Sequence, residues 1–128
     1  MSEMLFVFGS NEAGRHGAGA AKVALQQYGA RLGIGCGHQG SSYAIPTKDY
    51  RIETLPLDKI KEYVDQFIQY AKDNPELQFK VTKIGCGYAG YTDIDIAPMF
   101  ADAPSNCLFD SDWLKYLSWA KSWGTYGE

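Results

Sequence analysis

Short continuous apolar runs alternate along this chain with longer stretches whose apolar residues recur every three to four positions. That alternation constrains the fold more than any other feature, because it separates buried strands from amphipathic helices. Residues 4–8 (MLFVF) form the first run and stop at Gly9. Residues 17–28 follow as a helix with Ala20, Val23, Ala24, Gln27 and Tyr28 on one face, closed by Gly29. A glycine-rich segment, 33–40, precedes a second strand at 42–46. Helical periodicity is clearest over 58–72, where Ile60, Tyr63, Val64, Phe67, Ile68 and Ala71 share a face and Asn74-Pro75 ends the helix. A third strand spans 78–84 up to Gly85, a short helix 93–101, and a fourth strand 106–109. Asp112 is placed to cap a last, aromatic-rich helix ending near Trp123. The order β-α-β-α-β-α-β-α predicts one α/β domain with a mainly parallel sheet and helices on both faces.

Composition narrows the function. A chain of 128 residues suits one domain with a real core, and 45% apolar against 21% charged residues is a globular mix. Twelve basic and fifteen acidic residues leave a net charge of −3, which argues against a partner held by charge alone. Strong non-specific nucleic-acid binding is therefore not expected, although a short modified strand remains possible as a substrate. Three cysteines without a CxxC spacing and two histidines predict neither a disulfide framework nor a zinc site, and nothing calls for a cofactor. Apolar runs of about five residues are far too short to span a bilayer, and the first residues do not read as a secretory signal. The expectation is a cytoplasmic protein with no membrane partner.

Ligands of open α/β sheets bind at the carboxyl ends of strands. Three such ends are unusual here: residues 9–21, rich in glycine and alanine; Ile45-Pro46-Thr47-Lys48; and residues 85–91, GCGYAGY. Glycine between a strand and a helix lets backbone N–H groups approach a phosphate at the positive end of the helix. Glycines also serve tight turns alone, but two clusters on one sheet edge favour a ligand. The dinucleotide pattern G-x-G-x-x-G occurs at 35–40, in the wrong context before a strand, and at 85–90, before a helix and twenty residues ahead of Asp110. The second match supports a Rossmann-like alternative.

Lys48 follows a strand directly and can touch a phosphate or ribose, act as a nucleophile, or simply be solvated. Asn11 is suited equally to a left-handed turn and to donating to a sugar. His16, Cys36 and His38 lack an orienting third group and read as loop residues. Cys86 between two glycines reads as a small turn residue, and Trp113, Trp119 and Trp123 as packing of the terminal helix.

The strand ends resemble those of the macro-domain family of ADP-ribose-binding α/β domains. The similarity is greatest to the branch holding the DarT–DarG antitoxin macrodomain, with the terminal ADP-ribose protein glycohydrolase more distant. That branch has a first loop of the form N-x-x-G-x-x-G-x-G-x-A, matched by Asn11, Gly14, Gly17, Gly19 and Ala21. It also has a P-T-K element, matched by Pro46-Thr47-Lys48, and a glycine loop matched from Ile84-Gly85-Cys86-Gly87 onward. The resemblance implies that Lys48 acts at the anomeric carbon and that Asn11 contacts the distal ribose. It further implies that Gly9, Ser10, Gly14, Gly17, Ala18, Gly19 and Ala20, with Gly85, Cys86, Gly87, Tyr88, Ala89, Gly90 and Tyr91, wrap the diphosphate and ribose. The partner implied is ADP-ribose or an ADP-ribosylated substrate. The activity implied is hydrolytic removal of ADP-ribose from a nucleic acid or protein, the alternative being a module that binds without cleaving. Two features depart from the family: its adenine-binding aspartate has no counterpart here, and Ala89 stands where the protein glycohydrolase carries an acidic residue.

Overall fold

A computed structural model describes residues 3–125. Strand β1 (Met4–Asn11) leads to helix α1 (Gly19–Gln27), then β2 (Gly37–Gln39) and β3 (Ser42–Lys48). Helix α2 (Leu57–Asp73) connects to β4 (Gln78–Val81), and a short α3 (Asp93–Ile96) runs into a 3₁₀ turn at Ala97–Phe100. Strand β5 (Cys107–Asp110), a second 3₁₀ turn at Ser111–Trp113 and β6 (Lys121–Gly124) complete the chain. The six strands form one mixed sheet in the order β2-β3-β1-β4-β5-β6. Strand β1 lies parallel to β3 and β4, β5 lies parallel to β4 and β6, and β2 runs antiparallel to β3.

Alternation along β1 assigns its two faces. Leu5 and Val7 face α2 and join a core with Ile45, Ile60, Val64, Phe67 and Phe79. Phe6 and Phe8 face the other way and pack with Ala21, Ala24 and Ala44 under α1. The α2 face read from periodicity is the buried one: Ile60, Val64, Phe67, Ile68 and Ala71 are buried. The larger core is an aromatic stack in which Phe67 meets Phe79 edge-on at 5.2 Å and Phe100 at 6.0 Å. Phe100 in turn meets Phe109 at 5.5 Å and Trp113 at 5.6 Å. Each such buried ring contributes about 1.5–3 kcal/mol through removal of apolar surface from water.

The structure corrects the expected elements in three places. No helix spans 112–123; Asp110, not Asp112, caps a single 3₁₀ turn by accepting from the Asp112 N–H at 2.9 Å. The chain then turns back and adds β6 to the open edge of β5, which satisfies backbone groups that a helix would leave exposed. Trp113 is buried, as expected, while Trp123 reaches from β6 to donate Nε1–H to the Val81 carbonyl at 2.8 Å. The segment 33–40 holds the antiparallel strand β2, so with β6 the sheet has six strands among the described residues rather than four, and it is mixed. Finally, β1 continues past Gly9 to Asn11, and β4 ends at Val81, three residues earlier than expected. No helix among the described residues is long and apolar enough to cross a membrane.

Candidate functional site

Helix α1 leaves β1 on one face of the sheet, whereas α2 leaves the neighbouring β3 on the other. Pairing of β1 with β4 ends at Val7–Val81 while β1 runs on beside β3 to Asn11, so a crevice opens beyond the carboxyl ends of β1 and β4, where the winding reverses. A cavity of ≈ 420 Å³ occupies that crevice. Its volume falls in the ordinary range for a small-molecule site.

Four segments line it. From the end of β1 come Gly9, Ser10 and Asn11; from the entry to α1 come Arg15, Gly17, Ala18, Gly19, Ala20 and Ala21. Strand β3 and the turn after it give Thr47, Lys48 and Ile52, and the segment after β4 gives Thr82 to Gly85 and Gly87 to Ala89. Of the residues expected at the site, Gly14, Cys86, Gly90 and Tyr91 are outside this lining and shape the loops instead. Gly14 has φ +71°, and an added Cβ would lie 2.3 Å from the Gly33 carbonyl carbon. Tyr91 donates its hydroxyl to the Leu55 carbonyl at 2.7 Å, and its N–H to that of Gly85 at 2.9 Å. Burial, reinforced by Asp93, pushes the Cys86 thiol up to about 12, so it is protonated and non-nucleophilic at neutral pH.

The register of β1 and β3 brings Asn11 and Lys48 directly opposite each other. An irregularity after Ser10 and Pro46 leaves Thr47 as the extra residue, and such bulges re-aim the side chains that follow. The Asn11 amide is partly committed. Its Oδ1 accepts from the Arg15 N–H at 2.9 Å and its Nδ2 donates to the Arg15 carbonyl at 2.7 Å. This clamp closes the first loop and leaves the amide one further N–H. Lys48 is half-buried, with Nζ 5.8 Å from the centre of the Tyr88 ring. Tyr88 is 75% exposed yet reaches across the crevice, since a Cβ on Gly19 would meet its ring at 3.1 Å.

The backbone presents donors to the same space. Helix α1 has no side-chain cap and no acidic residue in its first turn, so the N–H groups of that turn stay open at the cavity wall. Across from them, the N–H groups of Gly85, Gly87, Tyr88 and Ala89 donate to no acceptor among the described residues. Gly9 lets the two walls meet at the floor, where its Cβ position is 3.5 Å from the Gly85 nitrogen.

Charge follows the same logic. Three cations line the cavity, Arg15, Lys48 and Lys83, and its lining contains no Asp, Glu or His among the described residues. Lys83 is committed to Asp112 at 3.1 Å and Asp93 at 3.8 Å; the Asp112 hydrogen bond above all holds its ammonium group above the usual lysine range. Arg15 and Lys48 enter no ion pair among the described residues. A protein of net charge −3 thus keeps a locally positive, donor-rich pocket. The aliphatic hydroxyls of the lining are already engaged. Those of Ser10, Thr47 and Thr82 each donate to a backbone carbonyl, and no base adjoins them.

Among the lining residues, the sequence reading gave no site role to Arg15, Ile52, Thr82 and Lys83, nor to Ala21, Thr47 and Ile84, which it quoted only as parts of motifs. Arg15 sits inside the first glycine loop, and that position was the available signal. Ile52 gave none, because its place depends on a turn that returns the chain to the crevice. His16 is buried under the first loop, its Nε2 within 2.8 Å of the Arg31 carbonyl and 3.1 Å of that of Ile34. It holds the loop to segment 31–35 and stays outside the cavity lining. Asp110 also stays outside, one carboxylate oxygen accepting from the Asp112 N–H and the other from the Thr125 hydroxyl. Comparison of the chain with known protein families, characterised proteins and solved structures gives no significant match.

Proposed function

We propose that this chain is a macro-like domain that binds ADP-ribose and hydrolyses the bond joining it to a modified nucleic acid or protein. One observation carries the reading: a switch-point cavity that, among the described residues, has two cations outside any ion pair, no lining carboxylate and two facing sets of free backbone N–H groups. That environment suits a diphosphate held between the start of α1 and the segment after β4. Arg15 adds charge at the rim. Asn11 and Lys48, side by side across the strands, then meet the sugar beyond the diphosphate.

The chemistry follows from what the cavity contains. It offers no carboxylate or imidazole to activate water, and Lys48 is its one lysine free of an ion pair among the described residues. In its neutral form the Lys48 amine attacks the anomeric carbon; a C–N bond forms as the bond to the aglycone breaks, and an amine proton passes to the leaving atom. Water then cleaves the C–N bond and restores the amine. Orientation by the donor walls supplies the proximity that the step requires.

The lack of a general base suits a module that binds ADP-ribose without cleaving it equally well. Calorimetry with ADP-ribose, AMP and NAD tests the binding half of the proposal. Micromolar affinity for ADP-ribose with AMP much weaker is expected, and no binding would refute it. Lys48→Ala then separates the two readings: abolished turnover with ADP-ribose affinity changed less than about tenfold supports catalysis.

A further inference from the structure

Ile52 has φ +65°, the sole positive value outside glycine among the described residues. A β-branched residue there is a steric outlier, because its side chain crowds the backbone in the left-handed region. Nothing about the turn calls for isoleucine. The Asp49 carboxylate organises it by accepting the N–H groups of Arg51 and Glu53, and the Ile52 N–H itself returns to the Asp49 carbonyl at 3.1 Å. Glycine or asparagine would make the same bonds without the steric conflict. The core does not call for it either, since Ile52 is half-buried and belongs to neither hydrophobic cluster.

The side chain goes instead to the cavity. Lys48 pairs with Thr54 across the turn, which fixes Ile52 at the Lys48 end of the crevice. Thr54 donates its hydroxyl to the Ala89 carbonyl at 3.0 Å, tying this turn to the segment that carries Tyr88. Ile52 and Tyr88 therefore line the same cavity as apolar groups on two turns tied to each other, with the Lys48 amine 5.8 Å from the centre of the Tyr88 ring. Backbone strain kept at a ligand cavity, with no use to the fold, is the mark of a residue retained for contact.

We infer that Ile52 is a specificity residue: it packs on the apolar face of a sugar ring that lies beyond the diphosphate, at the Lys48 end. The inference rests on the ADP-ribose reading above. A ligand that ends at the diphosphate does not reach Ile52, so the residue discriminates ADP-ribose from ADP.

Three proteins and two ligands test it. Ile52→Asn removes both the strain and the apolar contact, whereas Ile52→Ala removes the contact and keeps a Cβ at positive φ. Titrations with ADP-ribose are expected to show about a tenfold loss of affinity for both variants, with ADP changed less than about twofold. Thermal melting is expected to rise by about 2–6 °C in Ile52→Asn and not in Ile52→Ala. Unchanged ADP-ribose affinity in both variants, or equal losses for the two ligands, overturns the assignment while leaving the ADP-ribose reading intact. A lower melting temperature in Ile52→Asn also overturns it, by showing that the side chain serves the fold. Failure of the unsubstituted protein to bind ADP-ribose refutes the functional reading itself, and this inference with it.

Discussion

If the glycines of the crevice exist to admit a ligand, a methyl group at the right ones should damage binding while leaving the fold intact. Gly17 and Gly87 meet that condition. Each lines the cavity, neither has a positive φ, and an added Cβ at either would meet nothing within 4 Å. Alanine there strains nothing and reduces the freedom of the unfolded chain, so stability should rise by about 0.4–1 kcal/mol. A phosphate oxygen bonded to the Gly87 N–H, or to those of the α1 entry, would have to share its space with the new methyl group. Losing one charge-assisted hydrogen bond costs about 1.5–3 kcal/mol, or roughly ten- to a hundredfold in affinity. The opposite signs make the experiment decisive. Thermal melts and ADP-ribose calorimetry on Gly17→Ala and Gly87→Ala should show unchanged or higher melting temperatures with affinity down at least tenfold. If both variants melt higher and bind like the unsubstituted protein, the glycines are turn residues only. The phosphate cradle would then be abandoned.

Other variants separate scaffold from site. Gly35→Ala should destabilise the fold by more than about 3 kcal/mol, read as a shift in the urea midpoint, because its Cβ would lie 1.9 Å from the Asn11 carbonyl oxygen. Cys86→Ser should retain turnover within about twofold, since a thiol pushed up to about 12 is no nucleophile at neutral pH. Asp110→Ala should leave ADP-ribose binding unchanged while lowering stability; a marked loss of binding with stability kept would favour the Rossmann-like alternative. The Thr92 N–H, and then its hydroxyl, hold the Asp95 carboxyl below its usual pKa. That capping contribution is present above the ordinary carboxylate range and is lost as pH falls through the lowered folded value. Denaturation midpoints below about pH 4 should therefore fall less steeply with pH in Asp95→Asn than in the unsubstituted protein.

What was legible in the sequence follows the range of the physical signal. The 3.6-residue period of α2 is local and strong, and every buried position on that helix was visible. The glycine-flanked strand ends were equally plain, because clustered glycines between a strand and a helix are a local feature of the sequence. The last element failed for the opposite reason. Trp113 and Leu117, four residues apart and both buried, imitate a helical face, but the open edge of β5 decides the outcome and is not encoded locally. Strand β2 was hidden by its glycines, which read as loop until β3 offers an edge to pair with. Side-chain commitments were likewise invisible: a lysine in sequence is only a charge, and the ion pairs of Lys83 with Asp93 and Asp112 come from separate segments.

That last point decides how the site is to be understood. Lys48 ends β3, Lys83 follows β4, and both line the cavity, so position along the chain does not rank them. Their surroundings do. Lys83 is held charged by two carboxylates and cannot give up a proton without losing those partners. Lys48 lies with Nζ over the Tyr88 ring at 5.8 Å and opposite the Asn11 amide, and it enters no ion pair among the described residues. Two chemically identical side chains on one cavity thus differ in their commitments: Lys83 is held by two carboxylates, while Lys48 enters no ion pair among the described residues.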